Sequence, residues 1–393
     1  MVRDSAPGSA VMTRYLANRL VQMLITFLLF QTLVFFLLHA QPGDITQQFI
    51  GNPNIPPEAR EILRRQLGLD KPLHMQYLTY LTNFWRGDLG VSWGEYPRPV
   101  IDIILERLPR TLVLFFSANV VAFTVGFTLG RILAWKRGAW LEYPVTITSV
   151  LLYTVFTPWL ALVMIWLFAY KLGLFPIGKF ITVRLWRGAP YTANEVFGEM
   201  IRMTAILIVA LFLLFLLTRK LSALDRRRIR IPGFLLLVGA YILYWRLSPK
   251  WVYASDIAWH MILPITTITL VAFGGTMLLT RNSMLETLRE DYILTARAKG
   301  LPDKVVRDKH AARNALLPVV TSLVYTLAFS IDGGVITETY YSWPGMGLTL
   351  LTAATSSDIP LAIGALTFTG VMALLAHLVA DLLYAYLDPR IRY

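Results

Sequence analysis

The chain has 393 residues, 56% of them hydrophobic and 16% charged, with a net charge of +13 and no cysteine. A soluble domain is about a quarter charged because its surface faces water, so this composition suits lipid as solvent. The absent thiols exclude disulfides, thiolate metal sites and cysteine nucleophiles. The basic excess could suggest nucleic acid, but its lysines and arginines sit at the ends of apolar blocks, so no nucleic-acid partner is expected.

The first apolar block, 20–38, follows Arg14 and Arg19. Its basic flank is that of a signal peptide, but its core is too long. Leu38-His39-Ala40 also lacks the small residue expected three positions before a cleavage site. The block reads as an uncleaved first span. Residues 40–110 are polar and carry a helix start at Pro57-Glu58, ahead of Ile62, Leu63 and Leu67, which predicts a small external domain. Further uncharged blocks lie at 111–130, 143–170, 203–218, 231–245, 257–280, 315–331 and 359–380. A helix needs roughly 20 apolar residues to cross the hydrocarbon. The blocks 203–218 and 231–245 are short for this and predict a peripheral hairpin of untilted or partly embedded helices.

Lysine and arginine set the orientation. With the N-terminus cytoplasmic, the inside segments are 131–137, with Arg131, Lys136 and Arg137, and 219–230, with Arg219, Lys220, Arg226, Arg227, Arg228 and Arg230. Inside too is 281–313, with Arg281, Arg289, Arg297, Lys299, Lys304, Arg307, Lys309 and Arg313, and the tail adds Arg390 and Arg392. The outside connection 338–358 has no lysine or arginine. Eight spans with both termini cytoplasmic satisfy every short loop. The fold class is therefore all-α, a polytopic membrane helical bundle.

Several motifs carry no chemistry. Gly173 to Lys179 has the glycine and lysine spacing of a phosphate-binding loop, but Phe180 stands where a Mg²⁺-holding Ser or Thr is needed. Nucleotide hydrolysis therefore belongs to another chain. The five histidines are scattered, and no nucleophile–base pair or metal-ligand set is visible, so no catalytic residue, metal or cofactor is expected. Gly126-x-x-x-Gly130 allows close helix approach, which concerns packing alone. A channel or secondary transporter would show symmetry between its halves, and none is found.

The informative stretch is the inside loop 282–314. It contains Asp291, Tyr292, Ala296, Arg297, Ala298, Lys299 and Gly300, then His310-Ala311-Ala312-Arg313-Asn314-Ala315-Leu316-Leu317-Pro318. Chemistry alone leaves two equal readings: a basic loop touching anionic lipid, or a short helix with small alanines and a glycine stop that seats in a partner's cleft.

These residues resemble the coupling segment of ABC importer permeases of the dipeptide/oligopeptide/nickel type. Tyr292–Gly300 and His310–Pro318 match the subfamily's Tyr-x-x-x-Ala-x-Ala-Lys-Gly and His-Ala-x-Arg-Asn-Ala-Leu-x-Pro, whereas Leu294-Thr295-Ala296 stands where the wider family has Glu-Ala-Ala. Pro42-Gly43-Asp44, Gly87-Asp88-Leu89-Gly90, Glu106-Arg107-Leu108-Pro109, Ser342-Trp343-Pro344-Gly345-Met346-Gly347 and Asp388-Pro389-Arg390 also look like family signatures. The resemblance spans the chain outside 180–255, where the family usually has six spans and no extra hairpin.

The resemblance implies a six-span core in the cell membrane of a prokaryote, to which the hairpin read from the apolar blocks is an addition. Together these divide the chain into 1–39 (N-terminus and first span), 40–110 (external domain), 111–202 (spans 2 and 3 and an external loop), 203–247 (hairpin) and 248–393 (core with the coupling loop). The resemblance further implies a heterodimer with a second permease, two ATPase subunits inside, a substrate-binding protein outside and surrounding membrane lipid. The cargo would be peptides, with oligosaccharides or nickel as alternatives that keep the same motor motifs. One feature lies outside the family pattern. Asp332 is an acid within an apolar stretch, followed by Gly333 and Gly334. An intramembrane carboxylate faces a bundle interior or a water-filled path, so these three residues are candidates either for the translocation path or for a buried hydrogen bond.

Overall fold

The computed structural model describes residues 9–39, 58, 71–330 and 334–387. Among them the architecture is helical, with one isolated antiparallel bridge, Val91 to Pro99. The helix expected near Pro57, and residues 40–57, lie outside the described residues.

Helix α1 is Ser9–His39 and α2 is Leu73–Trp85. Helix α3, Val100–Trp135, starts well before the apolar block at 111. Its first turns are amphipathic. Val100, Ile103 and Ile104 are fully buried, while Asp102, Glu106 and Arg107 break the hydropathy signal.

The block 143–170 is not one straight span. It forms α4 (Glu142–Thr154) and α5 (Thr157–Met164), the latter continuing in π-helical turns over Ile165–Lys171, with a bend of 107° between the two parts. A continuous helix would need an N–H from Pro158 to the carbonyl of Thr154, and proline has none.

The expected hairpin is present but longer than its apolar blocks, as α6 (Ala193–Leu217) and α7 (Ala223–Leu247). A capping box at Thr192 and Glu195 starts α6 almost three turns ahead of the uncharged stretch. Ser222 caps α7, so most of the basic segment is the first turns of a helix and the connection is only a tight turn. Helix α8, Trp251–Thr287, is followed by α9 (Asp291–Ala298), π-helical turns over Val306–Ala311, and α10 (Ala312–Phe329). Last come α11 (Val335–Tyr340), α12 (Met346–Thr355) and α13 (Ile359–Leu387). Among the described residues six helices are long and apolar enough to cross a membrane, or seven with the bent pair taken as one span. The block expected at 315–331 is α10, whose first turn holds Arg313 and Asn314.

The chain forms two compact units, residues 1–161 with 265–393, and residues 162–264. In the first, glycines bring helix backbones together. A Cβ at Gly126 would lie 2.7 Å from the Phe273 carbonyl, and one at Gly130 would lie 2.5 Å from the Met277 carbonyl. The spacing read as a packing feature thus seats α3 on α8. Gly274 does the same for α4, with Ser149 O at 2.5 Å from its would-be Cβ. A second apolar cluster joins Val100, Ile103 and Ile104 to Met346, Ala353, Leu361, Ala362 and Ala365.

In the second unit α6 and α7 run antiparallel. Thr204 meets Tyr241 at 3.1 Å near one end, and Arg230 donates to the Phe215 carbonyl at 3.1 Å near the other. Glu199 accepts from the Tyr244 hydroxyl and from Lys250, both at 2.5 Å.

Candidate functional site

Helix α9 ends in a full Schellman arrangement. Gly300 has φ +72°, its N–H bonds to the Arg297 carbonyl at 2.9 Å, and the Leu301 N–H reaches back to Ala296 at 3.4 Å. Only glycine takes this left-handed position without cost. Asp291 in the first turn complements the helix dipole.

Two faces separate on this short helix. Ile293 and Ala296, one turn apart, are buried with Ala134, Met284, Val306, Ala311, Ala312 and Ala315. Asp291, Tyr292, Leu294, Thr295, Arg297, Ala298, Lys299 and Gly300 are exposed. This corrects the expectation that both alanines face a partner. Ala296 is small because it seats against this chain's own helices, whereas Ala298 remains outward. The period that places Ala296 with Ile293 was legible in the sequence.

The segment is clamped to the helices around it. Asn314 donates to the Tyr292 hydroxyl at 2.8 Å, which ties the two matched halves of the loop together. Arg297 lies 5.5 Å from the Trp135 ring centroid at the end of α3. Ser283 of α8 donates to the Ala315 carbonyl at 3.0 Å. Arg307 grips Asp308 through two bonds of 2.7 and 3.0 Å, and Arg131 approaches the same carboxylate at 3.5 Å. The Arg307 guanidinium holds the Asp308 carboxyl below its ordinary range. Sequence reasoning singled out neither Asp308 nor Trp135; both lie outside the matched segments Tyr292–Gly300 and His310–Pro318.

Asp332 and Gly333 lie outside the described residues. Gly334 is described, and a Cβ there would stand 2.5 Å from Phe115 Cζ. Its lack of a side chain makes room for a ring of α3. Close by, Asn119 donates to Ser330 at 2.6 Å, and both are buried.

At the other end of α3 the signature residues form a connected network. Glu106 binds Arg110 at 2.6 Å and also pairs with Arg98; Glu95 takes Arg98 at 3.0 Å and Arg107 at 2.8 Å. Trp343 is fully buried and donates to the Arg110 carbonyl at 3.2 Å. Asp358 accepts from Ser92 at 2.5 Å and from the Gly94 N–H at 2.9 Å, which pins the start of α13 to the segment before α3. Glu338, wholly buried, accepts from Thr111 at 2.7 Å and from the Leu348 N–H at 2.9 Å. This acid was missed because it falls just past an apolar block and reads as the start of a polar loop.

Two family models match. Residues 126–393 match the binding-protein-dependent transport system inner membrane component, and residues 12–115 match the N-terminal part of the membrane component of such systems. The chain is 31% identical to the di/tripeptide transport system permease protein of Pseudomonas aeruginosa (strain UCBPP-PA14), over 97% of this chain and 99% of that one. It is likewise 31% identical to the dipeptide transport system permease protein of Escherichia coli (strain K12), with the same coverage. Against the oligopeptide transport system permease protein of Bacillus subtilis (strain 168) the identity is 28%, over 97% of this chain and all of that one. With apolar helices enough to make it a multi-pass protein of the cell membrane, the chain belongs to the family of binding-protein-dependent transport system inner membrane components.

Proposed function

We propose that this chain is the permease subunit of an ATP-driven importer of di- and oligopeptides, forming half of the translocation path. The observation that carries the reading is the clamped segment 291–318. Its exposed face offers Tyr292, Leu294, Arg297 and Lys299, while its buried face and the Tyr292–Asn314 bond tie it to α3, α8 and α10. A push on such a segment reaches three helices at once, whereas a loose loop would absorb it. Asp291–Lys299, ended by Gly300, is the contact to the ATPase, and Arg297 and Lys299 are placed for charge-assisted bonds.

The distribution of lysine and arginine supports a cytoplasmic location for this segment and for both termini. A second permease, two ATPase subunits and an external binding protein complete the assembly. ATP-driven closure of the ATPases then rocks the helices between outward- and inward-open states, and this chain performs no chemistry of its own. The relatives' names, which include dipeptide and oligopeptide systems, support peptide cargo. Asp332 is proposed to line the path and attract a cationic group such as a peptide amino terminus; unchanged import of cationic and neutral cargo by an assembled Asp332→Asn variant would remove that role.

The test is uptake. Cells lacking the chain should regain import of a labelled dipeptide when it is restored with its partner subunits, and lose it on ATP depletion. Restored uptake of an oligosaccharide or nickel instead overturns the cargo. Import that survives ATP depletion overturns the motor.

A further inference from the structure

The tip of the α6–α7 hairpin carries more positive charge than the fold uses. Both helices have 25 residues, or roughly 37 Å at 1.5 Å per residue. That exceeds the roughly 30 Å of hydrocarbon in a bilayer, so their ends reach the headgroups. Apolar side chains such as Ile206, Val209, Phe212, Leu235, Leu236 and Leu243 are exposed along the hairpin, and the most apolar window of α6 is 0% buried within the chain. Its solvent is lipid. Near one end stand Tyr241 and Tyr244, and at the other the basic turn. Aromatic rings at one interface and cations at the other fix the depth of a membrane hairpin.

The structure divides the six basic residues of this tip by task. Arg226 donates to the carbonyls of Arg219 at 3.0 Å and Leu221 at 2.8 Å. Arg230 donates to Thr218 Oγ1 at 2.7 Å and to the Phe215 carbonyl at 3.1 Å, with its guanidinium 4.4 Å from the Phe215 ring centroid. Arg230 thus caps the end of α6, where carbonyls lack helical partners and the dipole favours a cation, and Arg226 holds the carbonyls of the turn that follows. Arg219, Lys220, Arg227 and Arg228 are exposed. They make no hydrogen bond or ion pair through their side chains among the described residues. The one acid between 219 and 230 is Asp225, bonded to Ser222 at 2.6 Å.

We propose that this tip is a binding site for an anionic phospholipid, its phosphate held by Arg219, Lys220, Arg227 and Arg228. The adjoining surface favours lipid over a soluble acidic protein. Leu217 and Leu224, which flank the turn, are 78% and 74% exposed and continue into the apolar sides of both helices. A phospholipid satisfies both parts, with its headgroup on the cations and its acyl chains along the hairpin. An acidic protein would engage the charges alone. Either leaflet can supply the ligand, so the site does not depend on which side the tip faces.

The complete importer, reconstituted in phosphatidylcholine vesicles doped with a photoreactive phosphatidylglycerol, supplies the test. The probe should label the peptide containing residues 219–230. Unlabelled phosphatidylglycerol should compete far better than phosphatidylcholine, since each basic residue near a charged headgroup contributes roughly fivefold, and rising salt should weaken labelling. The quadruple variant Arg219→Gln, Lys220→Gln, Arg227→Gln, Arg228→Gln should lose it, and replacement of the three arginines by lysine should keep it. No label in this peptide of the wild-type chain, or equal competition by phosphatidylcholine, overturns the proposal without recourse to a variant. Crosslinking of the tip to an ATPase subunit in place of lipid also overturns it.

Discussion

The Thr111 hydroxyl donates to the Glu338 carboxylate at 2.7 Å, joining α3 to a helix 227 positions further along the chain. The same hydroxyl accepts the Met346 N–H at 2.8 Å, at the first turn of α12. The other Glu338 oxygen takes the Leu348 N–H, and the Glu338 carbonyl takes the Trp343 N–H at 2.8 Å. A carboxylate at a helix N-terminus meets both orphan N–H groups and the positive end of the dipole. The turn from Ser342 to Gly347 is thus built around one buried acid. Thr111→Val removes two hydrogen bonds and should lower stability by about 1–3 kcal/mol. Thr111→Ser keeps both groups and should stay near wild type. Thermal unfolding of the purified assembly measures both; a stable Thr111→Val beside a destabilised Thr111→Ser would show that the threonine methyl matters and the hydroxyl does not.

The glycines of α3 separate packing from mere tolerance. Gly130→Leu must place its Cβ where the Met277 carbonyl stands 2.5 Å away and Thr280 Cβ 2.7 Å away. Helix backbones that close cannot give by a few tenths of an ångström. Overpacking of this kind costs about 1–3 kcal/mol or more, and the folded protein recovered from membranes should drop sharply. Gly239 of α7, with nothing within 4 Å of its would-be Cβ, is the matched control, and Gly239→Leu should be recovered normally.

Ala296 and Leu294 predict opposite phenotypes two residues apart. Ala296→Leu forces volume into the cluster with Ala134, Met284 and Val306 and should lower stability by about 1–3 kcal/mol. Leu294 is 58% exposed, so Leu294→Ser should leave thermal unfolding unchanged and weaken co-purification of the ATPase. If Leu294→Ser instead destabilises the chain and leaves ATPase binding intact, the exposed face of α9 is not the docking face.

Most spans were legible in the sequence because lipid imposes long uncharged runs: of the eight expected, six are long and apolar enough among the described residues, or seven with the bent pair as one, and 315–331 is not among them. The coupling segment was legible because its residue types recur at fixed spacing. Span boundaries were not. Hydropathy stops at the first charge, but a helix does not: α3 runs through Glu106 and Arg107, and α7 through Arg226 to Arg230. Nor does an apolar run reveal where it breaks, as at Pro158 between α4 and α5. The inward turn of Ala296 was accessible from its spacing to Ile293. The Glu338 network was not, because it joins residues far apart in sequence through backbone groups that any residue type supplies.

The Asp308 clamp carries a pH dependence. Its hydrogen bonds from Arg307 depress the carboxyl below the ordinary value of 3.8, burial opposes them, and attraction from Arg307, Arg131 and Lys304 adds to the depression. A depressed acid contributes stability that is fully present above its unfolded pKa and is lost as pH falls through the lower folded pKa. Backbone hydrogen exchange over residues 306–311 should therefore be protected at about pH 5 and loosen only below the normal aspartate range. Asp308→Asn should flatten that dependence. Loosening that begins near neutral pH would show that the Asp308 carboxyl does not set the dependence.

Gly300 joins a backbone requirement to a contact surface, and three substitutions separate them. Its φ of +72° places a side chain in the left-handed region, which costs roughly 1–2 kcal/mol for most residues and less for asparagine. A Cβ there meets nothing within 4 Å among the described residues, so added bulk is felt by whatever docks on α9. Gly300→Asn should transport near wild type. Gly300→Ala should lose a modest share of uptake, in line with fraying of the Schellman turn. Gly300→Trp should assemble and insert, keep basal ATP hydrolysis, and lose uptake almost completely, because its ring occupies the space of the partner. Peptide uptake by vesicles and ATP hydrolysis by the same preparations provide the two readouts. If alanine and tryptophan reduce uptake equally, backbone strain accounts for both and Gly300 is a helix stop only. If tryptophan transports normally, α9 does not transmit the ATPase stroke.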